Sequence, residues 1–308
     1  MISEAVIQAI KGFTKEENIH LREPMCSHTT FRVGGPADCL LEICTKEELR
    51  EITQYLGKAG IPYFVVGNGS NLLVSDKGFR GVILRIGPGM NEIRVEGNHL
   101  YAQAGALMSQ AARVAMEHGL TGLEFASGIP GTVGGGVVMN AGAYDGEMSQ
   151  VVRSVTVLGT DGEFWNLDNE TMEFGYRTSS IKGHAYLVTE VEFELTQGDG
   201  ARIKEKMDEL AARRREKQPL EFPSAGSTFK RPEGHFAGKL IMDAGLRGYR
   251  VGGAMVSEKH CGFVVNVDPG NTTARDVMQV IRHAKRTVLE KDGIELEPEV
   301  IFLGEFEE

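Results

Sequence analysis

The chain carries 39 glycines in 308 residues, and they cluster at 67–69, 128–136 and 252–253. Glycine lacks a Cβ, so such clusters mark places where the backbone turns sharply or approaches a ligand closely. The first reads Gly67-Asn68-Gly69-Ser70-Asn71-Leu72 and follows the apolar run YFVV. The second reads Ser127-Gly128-Ile129-Pro130-Gly131-Thr132-Val133-Gly134-Gly135-Gly136 and runs on to Asn140-Ala141-Gly142. Neither satisfies a standard nucleotide motif. The first has Leu72 where a dinucleotide fingerprint needs its third glycine. The nearest P-loop candidate, 234–240, is one residue short and lacks the hydroxyl. The chemistry for phosphate is present nonetheless. Two glycines let consecutive N–H groups point into one concavity that binds anions, and Asn68, Ser70 and Asn71 add donors without charge. A diphosphate bridging two moieties needs two such loops from separate segments. Taken by themselves, the loops are equally compatible with a tight polar turn and a glycine-packed β-corner.

At this length two or three domains are expected. The net charge of −10 offers no gain from counterion release, which argues against nucleic acid as a partner. An anionic substrate would need its cations gathered locally. Cys26, Cys39, Cys44 and Cys261 form no C-x-x-C pair and match no zinc spacing, so no metal site is expected. Scattered thiols point to a reducing compartment. Residues 1–13 lack the apolar stretch of a signal peptide, and no run approaches the roughly 20 residues of a membrane helix. The expectation is a cytoplasmic monomer without membrane partners.

Periodicity predicts a strand over 39–44, a helix over 47–58 with Leu49, Ile52, Tyr55 and Leu56 on one face, and a buried strand over 63–66. Strands dominate from 81 to 198, interrupted by a helix over 107–118 that Gly119 ends. A long helix over 201–217 stops at Pro219. A shorter one covers 236–246, and a third, 272–291, has Asn271 as its expected cap and a stripe of Val277, Val280, Ile281, Ala284 and Val288. A short strand, 300–303, closes the chain. This order indicates α+β architecture.

Seven stretches carry a specific likeness: HTTFRVGGPAD (28–38), VGNGSNLLVSD (66–76), SGIPGTVGGGVVMNAGAY (127–144), YRTSS (176–180), KQPLEFPSAGSTFKRP (217–232), GYRVGGAMVSEKHCGFVVN (248–266) and LEPEV (296–300). In this order they resemble the UDP-N-acetylenolpyruvoylglucosamine reductase family, part of the wider group of flavoproteins with a vanillyl-alcohol-oxidase-like FAD domain. The resemblance implies a two-subdomain FAD-binding region, 1–83 (joined by the C-terminal strand 294–308) and 84–217, and a C-terminal α+β substrate-binding domain, 218–293. It implies non-covalent FAD whose pyrophosphate meets the loops 67–72 and 128–135, with Asn140 and Ala141 nearby. It also implies NADPH as reductant, and reduction of the enolpyruvyl ether of UDP-N-acetylenolpyruvoylglucosamine to UDP-N-acetylmuramate. In one branch of the family an insertion after the Y-R-x-S arginine carries a tyrosine lid. Only about ten residues follow Arg177 before the next strand, which leaves no room for one.

Chemistry sets what the site must contain. Hydride can add to the methylene carbon only if the neighbouring carboxylate absorbs electrons, and the enolate-like species needs stabilising where it forms. A proton must then reach the adjacent carbon. By position alone Arg177 reads as a surface salt bridge; the resemblance, through the Y-R-x-S motif, gives it the first task, which a guanidinium gripping a carboxylate with two hydrogen bonds can do. Ser227 fits the second, with Lys217 and Lys230 as helpers. Glu297 is the expected third member, a carboxyl whose pKa rises beside the substrate carboxylate; Glu295, Glu297 and Glu299 alternate along a strand-like stretch. For the substrate phosphates the candidates are Lys217, Arg231, Lys239, Arg247 and Arg250, with His260 lining the pocket. A flavin oxidase acting on an alcohol or sugar would explain the loops but not the catalytic trio. A non-catalytic flavin or nucleotide-sugar binder would not need those side chains at all.

Overall fold

The computed structural model describes residues 2–307. The strand Pro36–Ile43 sorts its side chains into two cores: Cys39, Leu41 and Ile43 on one face, Leu40 on the other, as a period of two requires. Ile19–Pro24 pairs with it antiparallel and Phe79–Ile86 parallel, with Tyr63–Val66 parallel beyond. The helix Lys46–Lys58 covers one side of this sheet. Thr45 Oγ1 accepts from the Glu48 N–H at 3.0 Å to start it, and Leu49, Ile52 and Leu56 are buried. Tyr55, expected on the same face, sits at its edge against the Phe13 ring.

A second sheet is antiparallel throughout, in the order Phe164–Asp168, Val152–Leu158, Leu187–Glu194, His99–Gln103 and Ile93–Glu96. The helix Met108–Glu117 packs on it through Met108, Ala111, Ala112 and Ala115. The second glycine cluster is not all loop. Val133–Val138 is a short helix capped by Thr132. A Cβ on Gly134 would lie 2.8 Å from Ala104 Cβ, and one on Gly136 2.7 Å from Met108 Sδ. These two glycines let the helix press against its neighbours.

The third assembly lays the helix Ala274–Asp292 across the strands Arg250–Val251, Ala254–Val256 and Val264–Asn266. The five residues of the expected stripe are all buried. The cap is Thr273 rather than Asn271. Thr273 Oγ1 accepts from the Asp276 N–H at 3.1 Å and Asp276 answers at 3.0 Å, while Asn271 bonds to Asp268. A second cap comes from far away in the chain: Asp76 accepts from the Ala274 and Arg275 N–H groups at 2.7 and 2.9 Å. Phe31, Val33 and Leu73 enter the core of this assembly, so it is packed onto the first sheet's connections. The final strand, Ile301–Leu303, lies parallel to Leu72–Val74. Among the described residues no helix is long and apolar enough to cross a membrane, and no cluster of His, Cys, Asp and Glu could hold a metal ion.

Candidate active site

The two glycine loops lie against each other. Tyr63–Val66 delivers Gly67, where a Cβ would run into Thr132 Oγ1; Gly69 sits at φ +60°, and a Cβ there would strike the His28 carbonyl. Asn68 Nδ2 donates to the Pro130 carbonyl at 2.5 Å. A Cβ on Gly131 would stand 3.3 Å from Ser70 Oγ. Beside the loops is a cavity of about 380 Å³ lined by Ser27, His28, Thr29, Thr30, Arg32, Gly67, Asn68 and the segment 220–223. Two buried polar atoms in its wall, Thr30 Oγ1 and His28 Nδ1, have no hydrogen-bond partner. Buried polar groups are satisfied in nearly every native structure, by protein, water or ligand, so these two mark a polar surface inside the cavity. Facing glycine loops and an orphaned hydroxyl, with an unpartnered ring nitrogen beside it, fit a dinucleotide cofactor such as FAD.

Several residues expected at the cofactor have their polar groups engaged inside the protein. Asn71 Nδ2 donates to the Glu299 carbonyl at 3.1 Å, and the Asn71 carbonyl accepts from the Ile301 N–H at 2.9 Å. Asn68 and Asn71 therefore tie the loop down with the very amides expected to reach phosphate. Asn140 is buried, donates to the Gly175 carbonyl at 3.0 Å and accepts from the Ser149 N–H at 2.9 Å. Leu72 is a core residue, and the Gly134 N–H is bonded to the Ala104 carbonyl. Ser127 Oγ donates to the Glu124 carbonyl and the Ala141 N–H to that of Gly136. Gly135 is exposed and Ile129 half-buried at the core's edge. These hydrogen bonds shape the two loops from within. Arg214 is a residue the sequence did not single out: it donates to the carbonyl of Gly128.

Arg177 lies in a turn closed by reciprocal hydrogen bonds between Gly175 and Thr178, at φ +56°, uncommon for a side-chain-bearing residue. Nη2 donates to the Gly142 carbonyl at 3.1 Å and Nη1 to that of Asn140 at 3.5 Å, so the tail of the second glycine stretch orients the guanidinium. Its Nε is 3.0 Å from Oε1 of Glu299, with the two side chains only 22% and 15% exposed. Glu297, the carboxyl expected there, is 68% exposed and pairs with Lys230 at 2.5 Å. The stretch before the last strand is not itself a strand. Its one ladder contact is an isolated antiparallel bridge between Phe229 and Pro298. From it Glu297 turns outward to Lys230 and Glu299 inward to Arg177, so the two glutamates do not share a face as an extended stretch would have them. Burial pushes the Glu299 carboxyl above its ordinary value, opposed by Arg177, Lys230 and Lys182.

Ser227 is joined to this carboxylate through the backbone. The Glu299 N–H donates to the Thr228 carbonyl at 2.9 Å and the Lys230 N–H to the Glu297 carbonyl at 2.8 Å. Thr228, fully buried, pins the segment from below by accepting from the Val264 N–H at 2.9 Å. The Ser227 residue itself is exposed. Lys182, missed in the sequence, donates to the Arg177 carbonyl at 2.9 Å. Burial of its ammonium and the nearby Lys230 hold its pKa below the ordinary value, although much of the side chain is exposed.

The expected phosphate cations do not converge in this way. Lys239 pairs with Asp243 one turn along its helix. Arg247 donates to the Glu258 carbonyl, Arg250 to that of Gly252, and Arg231 stacks on the Phe236 ring at 4.0 Å. Lys217 is exposed at the end of its helix. His260 is half-buried, accepts from the Gly262 N–H at Nδ1, and has its pKa lowered by burial.

Comparison with known proteins agrees with the geometry. Residues 37–168 match the FAD binding domain family. The chain also superposes on alkyldihydroxyacetonephosphate synthase with a TM-score of 0.51 at 14% identity, over 64% of this chain and 41% of that one, a likeness of fold alone. The molecule thus carries an FAD-binding domain on an α+β fold. Residues 218–303 match the family described as UDP-N-acetylenolpyruvoylglucosamine reductase, C-terminal domain. The reductase of that name from Caldanaerobacter subterraneus is 50% identical over 304 residues, 99% of this chain and all of the relative. The crystal structure of the Thermus caldophilus enzyme superposes with a TM-score of 0.79 at 37% identity, covering 93% of this chain and 98% of that one. The chain belongs to the UDP-N-acetylenolpyruvoylglucosamine reductase family.

Proposed function

We propose that the protein reduces UDP-N-acetylenolpyruvoylglucosamine to UDP-N-acetylmuramate with NADPH as the electron source, as a cytoplasmic monomer serving peptidoglycan precursor synthesis. The observation that carries this reading is the meeting of Arg177, Glu299 and the Ser227 segment, which lie more than a hundred residues apart in the chain at the widest. FAD, when bound, supplies the hydride. Arg177 grips the substrate carboxylate and stabilises the charge that gathers on it. Glu299, rather than Glu297, is the carboxyl of the trio: its raised pKa lets it hold a proton beside that charge and donate a hydrogen bond. Ser227, exposed on a turn that Thr228 anchors, delivers the proton to the adjacent carbon, with Lys230 close by. Three units share the work: 1–83 with 294–308, 84–217, and 218–293.

The test is a pair of half-reactions on the purified yellow protein. NADPH should bleach the flavin, and UDP-N-acetylenolpyruvoylglucosamine should restore the colour as UDP-N-acetylmuramate forms. In Ser227→Ala the first half should proceed and the second largely stop. Normal reoxidation in that variant would remove Ser227 from the mechanism, and a protein that takes up no flavin would end the proposal altogether.

A further inference from the structure

Arg214 stands in the last turn of the helix Gly200–Lys217. Its Nη1 donates to the Gly128 carbonyl, and a Cβ on Gly128 would lie 3.1 Å from both Cδ and Nη1 of Arg214. Gly128 is therefore bare because the arginine occupies the space beside it. A guanidinium has five donors, and among the described residues this one has that single acceptor and no carboxylate partner. Its neighbour Arg213 has Glu209. Arg214 is half-buried, and burial pulls its pKa below the ordinary value. A cation drawn out of water without a counter-charge is unfavourable unless an anion arrives.

The surroundings indicate where that anion comes from. The loop that Arg214 touches faces the first glycine loop through the Asn68–Pro130 hydrogen bond. The C-terminal end of a helix carries partial negative charge and repels phosphate. A guanidinium in its last turn opposes that sign beside Gly128, two residues before the Pro130 that meets the first loop.

We propose that Arg214 is the cation against which the FAD pyrophosphate binds, held in place by the Gly128 carbonyl. Arg214→Gln and Arg214→Lys holoproteins, shown to be folded by circular dichroism, are diluted and ultrafiltered, and released flavin is read by fluorescence. The same is done with riboflavin, which lacks the pyrophosphate. Loss of a charge-assisted hydrogen bond corresponds to about a 10- to 100-fold rise in the FAD dissociation constant for Arg214→Gln, with Arg214→Lys in between and riboflavin binding nearly unchanged. Added salt should weaken FAD binding to the wild-type protein more than to Arg214→Gln. FAD affinity unchanged in Arg214→Gln would overturn the proposal. So would an equal loss of riboflavin, which places the cation at the ring, or a raised KM for the UDP-sugar with FAD unaffected, which places it at the substrate's diphosphate. If the glutamine variant does not fold, the lysine variant and the wild-type salt series decide the same question.

Discussion

Arg177 holds three acceptors at once, two backbone carbonyls and Glu299, and only a planar, forked cation can do so while presenting an edge to a carboxylate. Arg177→Lys should keep FAD and lower turnover by about 100-fold, the order seen when one donor to a developing oxyanion is removed. Flavin content per chain and kcat check the two halves of that statement. Glu299→Gln should slow reoxidation by substrate, whereas Glu297→Gln, which removes only an exposed partner of Lys230, should stay within about threefold of wild type. Stability gives an independent reading. Burial raises the Glu299 pKa above its ordinary 4.5, so the folded chain holds that proton more tightly than the unfolded chain. The contribution is fully present below pH 4.5 and is lost as pH rises through the folded value. Thermal unfolding followed from pH 4 upward should show wild type losing stability relative to Glu299→Gln; an unchanging difference would mean the pKa is not raised. The resemblance pointed to Glu297 of LEPEV, and the proposal moves that role to Glu299, which the structure pairs with Arg177. The choice depends on how the chain bends at Pro298, and three alternating glutamates look alike until that bend is known.

Elements were legible where their own residues decide them. The stripe of Ala274–Asp292 and the buried strands announce themselves by period, because each has one covered face or two. Val133–Val138 did not, since glycine is a poor helix former; two of its three glycines, Gly134 and Gly136, are set by what the helix must press against. Caps divide in the same way. Thr273 and Asp276 form a local box three residues apart, which the expectation of Asn271 as cap passed over, and the Asp76 cap comes from 198 residues away and leaves no trace in local sequence. Asp76→Ala should lower stability by about 1–2 kcal/mol, as loss of a cap carboxylate does. The urea midpoint measures it. A loss no larger than that of an exposed aspartate such as Asp208 would show that the distant cap adds nothing to Thr273.

On the scale of the molecule, the end of the chain is built into its beginning. Ile301–Leu303 pairs with Leu72–Val74, Leu303 lies in the same small core as Leu72 and Val74, and Asn71 bonds to the backbone on the near side of that strand. The first glycine loop and the Glu299 segment therefore share one anchoring point, so under the proposed mechanism holding FAD and placing the carboxyl are parts of a single arrangement. Two substitutions separate anchoring from mere stability. Leu303→Ala opens a cavity in the small core and should cost about 2–4 kcal/mol, lowering the melting temperature of apo and FAD-bound protein alike. Asn71→Ala leaves the core filled but frees the loop from Glu299. A ligand that binds only the folded state stabilises it by about 2.7 kcal/mol at a hundred times its dissociation constant, so any loss of FAD affinity appears as a smaller thermal shift on adding FAD. Asn71→Ala should shrink that shift and also slow substrate reoxidation, whereas Leu303→Ala should preserve the shift. If Asn71→Ala keeps the full shift while reoxidation slows, Asn71 serves the carboxyl alone and the two functions are not coupled through this residue.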